Sequence, residues 1–102
     1  MPGPNSIIIS NFQYFPANLS VTAGTTISIT NQDSMTHTIT SESAMNALTP
    51  GAVNGVQFDT GAISSSASLT IPTSATTGIV IPYFCTLHLQ TMGQGQITIT
   101  GP

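Results

Sequence analysis

Apolar residues alternate with Thr or Ser in one short segment after another. In "TTISITN" (25–31), Ile27 and Ile29 share one face, and in "QITIT" (96–100) Ile97 and Ile99 do the same. "SLTI" (68–71) places Leu69 and Ile71 together, and "HTIT" (37–40) places His37 with Ile39. A period of two built from β-branched residues is the signature of a half-buried strand. "SIIIS" (6–10), "LSV" (19–21), "VQF" (56–58) and "GIVIPYF" (78–84) are further strand candidates. Turn residues punctuate them at Phe15-Pro16, Ala23-Gly24, Asn31 to Ser34, Pro50-Gly51, Thr60-Gly61, Thr77-Gly78 and Gly93 to Gly95. The pattern predicts an all-β fold, a two-sheet Greek-key β-sandwich of about eight strands. Only "SESAMNAL" (41–48) suits a helical turn or two. Pro82 lacks a ladder donor, so its strand is expected to be an edge or to bulge there.

With 102 residues the chain has the length of one small domain. Residues 6–102 are expected to form it, with 1–5 a disordered or engineered N-terminal segment. Charge bounds the partners more tightly. Lys and Arg are absent and only Asp33, Glu42 and Asp59 are acidic, so 3% of residues are charged against about 25% in a typical domain. Without cations there is nothing to neutralise phosphate, which argues against nucleic acid and against anionic lipid. No apolar run approaches the roughly 20 residues of a membrane span, so no direct membrane insertion is expected. A surface of Ser, Thr, Asn and Gln suits an exported protein, periplasmic or extracellular, whose signal has been removed.

Chemistry concentrates in "YFCTLHLQTMG" (83–93), which holds the only cysteine, one of two histidines and one of four methionines. A single cysteine forms no internal disulfide, so Cys85 is a buried hydrophobe, an intermolecular link or a ligand. Cys85, His88 and Met92 suit a loop that leaves a strand end and curls around an ion. Thiolate and thioether are soft donors and imidazole is borderline, which favours copper over calcium or magnesium. Zinc accepts Cys and His but gains little from Met. A trigonal His2Cys set with a weak axial Met is an electron-transfer copper arrangement, and the second His can only be His37. Each residue alone also has a plain packing or surface reading.

"FQYFPANLSVTAGTTISITNQDSMTHTIT", "FDTGAI" and "IPYFCTLH" together resemble the cupredoxins, the small type 1 (blue) copper proteins, in particular the plastocyanin and amicyanin type. The resemblance runs over roughly residues 6 to 100. It implies His37, Cys85 and His88 as equatorial ligands of one copper ion, Cu(I)/Cu(II), with Met92 axial. It implies that the Thr38 N–H bonds the Cys85 sulfur, that Asn31 ties the "NQDSMT" turn to the ligand loop, and that Phe84 packs beneath Cys85. The outward edge of His88 would be the electron's exit, ringed by Leu87, Leu89 and Met35 for hydrophobic docking of redox partner proteins. The chain departs from these proteins in having Leu87 and Leu89, rather than a proline, flanking His88. Its His-to-Met spacing also lies between those of the amicyanin and plastocyanin loops. Gln90, Gln94 or water therefore stand as alternative axial ligands.

The leading functional expectation is a soluble one-electron carrier rather than an enzyme. The alternatives are copper-dependent redox chemistry on a small molecule such as a nitrogen oxide, a copper carrier or store, and a metal-free structural sandwich. Cys85 has Phe84 and Thr86 as neighbours, not the His that wires multicopper oxidases and copper nitrite reductases to a second centre. No Cys-x3-Cys pair exists for a dinuclear site, and Cys–His protease chemistry leaves His37 and Met92 without a role.

Overall fold

The computed structural model describes residues 5–88 and 92–101. Among these residues, eight strands form two mixed four-stranded sheets. The first has the order β2-β1-β4-β6, from β1 (Ser6–Ser10), β2 (Gln13–Phe15), β4 (Thr26–Asn31) and β6 (Ser66–Thr70). The second has the order β3-β8-β7-β5, from β3 (Asn18–Thr22), β5 (Thr40–Ser41), β7 (Val80–Phe84) and β8 (Gly95–Thr100). Pairing is parallel between β1 and β4 and between β3 and β8, and antiparallel elsewhere.

The sequence alternation becomes burial. Ile7, Ile9, Ile27, Ile29 and Leu69 point inward from the first sheet, and Leu19, Val21, Ile81, Tyr83, Ile97 and Ile99 from the second, into one cluster. The intervening Ser and Thr of β3, β4 and β6 face water, where Thr26 and Thr70 join hydroxyls across strands at 3.0 Å. Two flat apolar faces closing on each other is how a chain this small removes its aliphatic surface from solvent.

The structure corrects the reading at four places. No helical turn pair forms at 41–48; a single turn closes at Ala47 N–H to Ala44 C=O, with left-handed backbone at Asn46 and Leu48. "HTIT" contributes only Thr40 to a strand, because His37 to Ile39 is where the chain crosses between sheets, held by a bridge of His37 with Ile63. "VQF" likewise forms no named strand: Val56 makes only an isolated bridge with Val53. The strand carrying Pro82 is neither an edge nor bulged there, since β7 lies between β8 and β5 and Pro82 pairs in register with Gln96. Its C=O accepts the Glu42 N–H at 2.9 Å on the β5 side. The N of the same residue faces that side too, so the reciprocal bond is the one the proline omits, and β5 ends at Ser41, one residue earlier.

The β7–β8 contact is tight at one point. A Cβ built on Gly95 would overlap the Tyr83 ring, its phenolic carbon and oxygen included. The Tyr83 hydroxyl is buried and has no hydrogen-bond partner among the described residues. Gly95→Ala should destabilise the protein by about 2 to 3 kcal/mol through overpacking, seen as a lower urea midpoint. Tyr83→Phe removes an unsatisfied polar group and should leave stability unchanged or raise it by about 1 kcal/mol.

Candidate metal centre

The turn joining β1 to β2, the crossing segment after β4 and the loop from β7 to β8 meet at one end of the sandwich. Local bonds fix each. The crossing segment folds around Asn31, a buried residue whose amide donates to the Met35 and Ile63 carbonyls, both at 2.9 Å. Asn31 Oδ1 accepts the Asp33 N–H at 2.9 Å, an Asx-type turn. The His37 backbone then exchanges two hydrogen bonds with Ile63, at 3.3 and 2.7 Å. In the β7–β8 loop, the His88 N–H donates to the Cys85 C=O at 3.3 Å and the Met92 N–H to the His88 C=O at 3.2 Å. Gly93 N–H to Phe12 C=O at 2.9 Å ties that loop to the first turn.

These bonds bring residues far apart in sequence together. His37 is fully buried and Cys85 nearly so. The Cys85 Sγ stands 3.9 Å from His37 Nδ1 and accepts the Thr38 N–H at 3.3 Å. The Thr38 hydroxyl in turn accepts the Thr86 N–H at 2.9 Å. The rings of His37 and His88 have centroids 5.0 Å apart. Met92 is buried in the same cluster as Cys85.

The ring nitrogens can be assigned from their partners. His88 Nε2 lies 3.1 Å from the Thr36 carbonyl oxygen, which only accepts, so Nε2 donates. His37 Nε2 lies 2.9 Å from a carboxylate oxygen of Asp33, and it too donates. In the neutral form of each ring, Nδ1 then carries the lone pair. Partial burial pushes the Asp33 carboxyl upward, but the N–H groups of Phe12 and Asn11 and the His37 contact outweigh it and hold Asp33 below the ordinary carboxylate range. The Tyr14 hydroxyl donates to the Thr38 carbonyl at 2.5 Å, and burial pushes its pKa far up, so it stays a donor.

The donor set suits a soft or borderline ion. Nitrogen and sulfur bond to such an ion at about 2.0 and 2.3 Å, so donors 3.9 Å apart can both reach one. Among the described residues, no three His, Cys, Asp or Glu side chains already stand at ion-holding distances. The arrangement is a close pair, His37 and Cys85, with the His88 ring beside it.

The remaining expected residues fall as follows. Phe84 is buried but lies outside the cluster that contains Cys85. Strand alternation turns it to the face of β7 opposite Tyr83. Among the described residues, the Asn31 amide reaches the crossing segment and Ile63. Leu87 and Met35 are each half exposed, while Leu89 and Gln90 lie outside the described residues. Gln94 lines a cavity of about 300 Å³ with Gln13, Tyr14 and Phe15.

Three contributors had not been singled out. Asp33 was readable in part, because Asn-x-Asp ahead of His37 is an Asx-turn pattern. Phe12 sits edge-on to both imidazoles, 4.9 Å from each centroid, and Tyr14 braces Thr38. Nothing in the local pattern of "SNFQY" marks either.

No protein-family model matches the chain, and no curated protein does. Solved structures do. An oxidized mutant of amicyanin superposes with a TM-score of 0.67 at 20% identity, covering 97% of this chain and 84% of that one. A reduced Cu(I) form of another amicyanin mutant gives 0.66 at 20%, with the same 97% and 84% coverage. A purple cupredoxin from Nitrosopumilus maritimus gives 0.63 at 25%, covering 93% and 98%.

The weight placed on Asn31 gives a direct test. Asn31→Ala removes three hydrogen bonds, one buried and two partly buried, and should cost about 2 to 3 kcal/mol, measured by urea unfolding of the metal-free protein.

Proposed function

With the cupredoxin fold as premise, we propose that this protein binds one copper ion and carries single electrons between partner proteins. The observation that carries the reading is the buried pair of Cys85 Sγ and His37 Nδ1 at 3.9 Å, with the Thr38 N–H already on the sulfur. The proposed ligands are His37, Cys85 and His88, with Met92 as the axial donor. Bound there, copper would supply the couple between Cu(I) and Cu(II).

The chain's own residues do the rest. Cys85 supplies a thiolate whose charge the Thr38 N–H moderates, which makes the sulfur a weaker donor and favours the reduced state. His37 is held through backbone and ring alike, so its Nδ1 has little freedom to follow a change of oxidation state. Tyr14 keeps Thr38 in place from the other side. A site that moves little on redox transfers electrons with little reorganisation. His88 is less enclosed than His37, and it stands as the route to solvent. Leu87 and Met35, each 50% exposed, offer apolar contact on that side. With no Lys or Arg in the chain, docking of a redox partner there should depend little on salt. Among the described residues no helix is long and apolar enough to cross a membrane; we place the protein outside the cytoplasm on its uncharged Ser/Thr surface.

Adding Cu(II) to the metal-free protein should produce an intense thiolate-to-copper absorption band that is lost in Cys85→Ser. A colourless wild type would remove the reading. Met92→Gln should shift the reduction potential of the loaded protein, measured by voltammetry; an unchanged potential would assign the axial position to another group.

A further inference from the structure

One carboxylate at the site has more partners than any ligand set requires. Asp33 Oδ1 accepts the Asn11 N–H at 2.8 Å, and Oδ2 accepts the Phe12 N–H at 2.9 Å and the His37 Nε2–H at 2.9 Å. Asn11 and Phe12 both have left-handed backbone, with φ of 53° and 58°. They form the two-residue loop of the β1–β2 hairpin, where positive φ at both positions is usual for Asn and Gly but uncommon for a bulky side chain such as Phe12. Asp33 ties this loop, and its own position is fixed by the bond of its N–H to Asn31 Oδ1. The consequence reaches both imidazoles, because the turn so held presents the Phe12 ring edge-on to His37 and to His88 at 4.9 Å each.

We propose that Asp33 is the positioning residue of the site: it sets His37 with Nε2 protonated and Nδ1 toward Cys85, and through the Asn11–Phe12 turn it holds the aromatic wedge of Phe12 against both histidines. Oδ2 serves the wedge and the ring at once, so neither can move without the other. A carboxylate accepts on both oxygens, whereas an amide has one accepting oxygen and an NH2 that opposes a donor. Asp33→Asn must therefore forfeit the Asn11 bond if its oxygen stands at Oδ2, or both Oδ2 bonds if it stands at Oδ1, whereas Asp33→Ala removes all three. The further consequence for a bound copper rests on the function proposed above. A carboxylate on the far nitrogen of a histidine ligand raises its basicity and favours Cu(II).

The test has a metal-free arm and a copper arm. In the metal-free wild type at pH 8, nitrogen-15 NMR of the imidazoles should show His37 as the Nε2–H tautomer with a slowly exchanging ring proton. Asp33→Ala, which removes every acceptor, should mix the tautomers and speed exchange of that proton at least tenfold, with folding checked by the backbone spectrum. Should Asp33→Ala not fold, Asp33→Glu, which keeps the accepting charge but displaces it, serves in its place and should show the same mixing. In the copper arm the Asp33→Ala variant should favour Cu(I) about tenfold more than wild type, an upward shift of 59 mV. A wild-type His37 carrying its proton on Nδ1, or a folded variant with tautomer and exchange unchanged, overturns the proposal. A wild type that binds no copper but shows the expected tautomer and its loss in the variant supports the role of Asp33 and removes only the copper reading.

Discussion

Thr38 is the residue on which the end of the sandwich is hung. Its N–H reaches the Cys85 sulfur, its hydroxyl accepts the Thr86 N–H, and its carbonyl accepts the Tyr14 hydroxyl. Three segments from two sheets are joined through the polar groups of one buried side chain and its backbone. In a chain without Lys or Arg, such neutral hydrogen bonds take the place of ion-pair networks. They are directional and short, and burial strengthens them by excluding competing water. The geometry of the cysteine and of the crossing segment is therefore set together. A change in one is transmitted to the other through Thr38.

The sandwich was legible because its strands obey a period of two. Ile27 and Ile29, or Ile97 and Ile99, have one interpretation once a buried face is required. Legibility stops where burial is two-sided. Pro82 and Phe84 are buried on the outer face of β7, so the local pattern reads as a continuous apolar run with no preferred face. The run therefore gave no face to weigh against the missing ladder donor of Pro82, which alone suggested an edge. It also stops where backbone conformation is set from a distance. The residues from 41 to 48 carry fair helix formers, yet the Glu42 carboxylate accepts the Leu48 N–H at 2.9 Å and Asn46 and Leu48 take left-handed backbone. A side-chain acceptor and tertiary burial overrule propensity there.

The candidate site divides along the same line. His37, Cys85, His88 and Met92 were found because rare donor types in one chain are informative by chemistry alone. Their supports were not. Asp33, Phe12 and Tyr14 belong to residue types with many uses, and what distinguishes them is the company that the fold gives them. Asp33 acts on a histidine four residues on and on a turn twenty-two residues back. No periodicity encodes the second relation.

The sheet margins carry one more implication. β3 and β6 each close a sheet with five residues, and neither has a charged side chain. Many proteins station lysines on such strands to repel a neighbouring copy. Here that guard is missing, and the deterrents left are short length and a hydrated row of Ser and Thr hydroxyls. Self-association through these margins would be governed by concentration and by solutes that compete for hydrogen bonds, and ionic strength would be a weak lever on it.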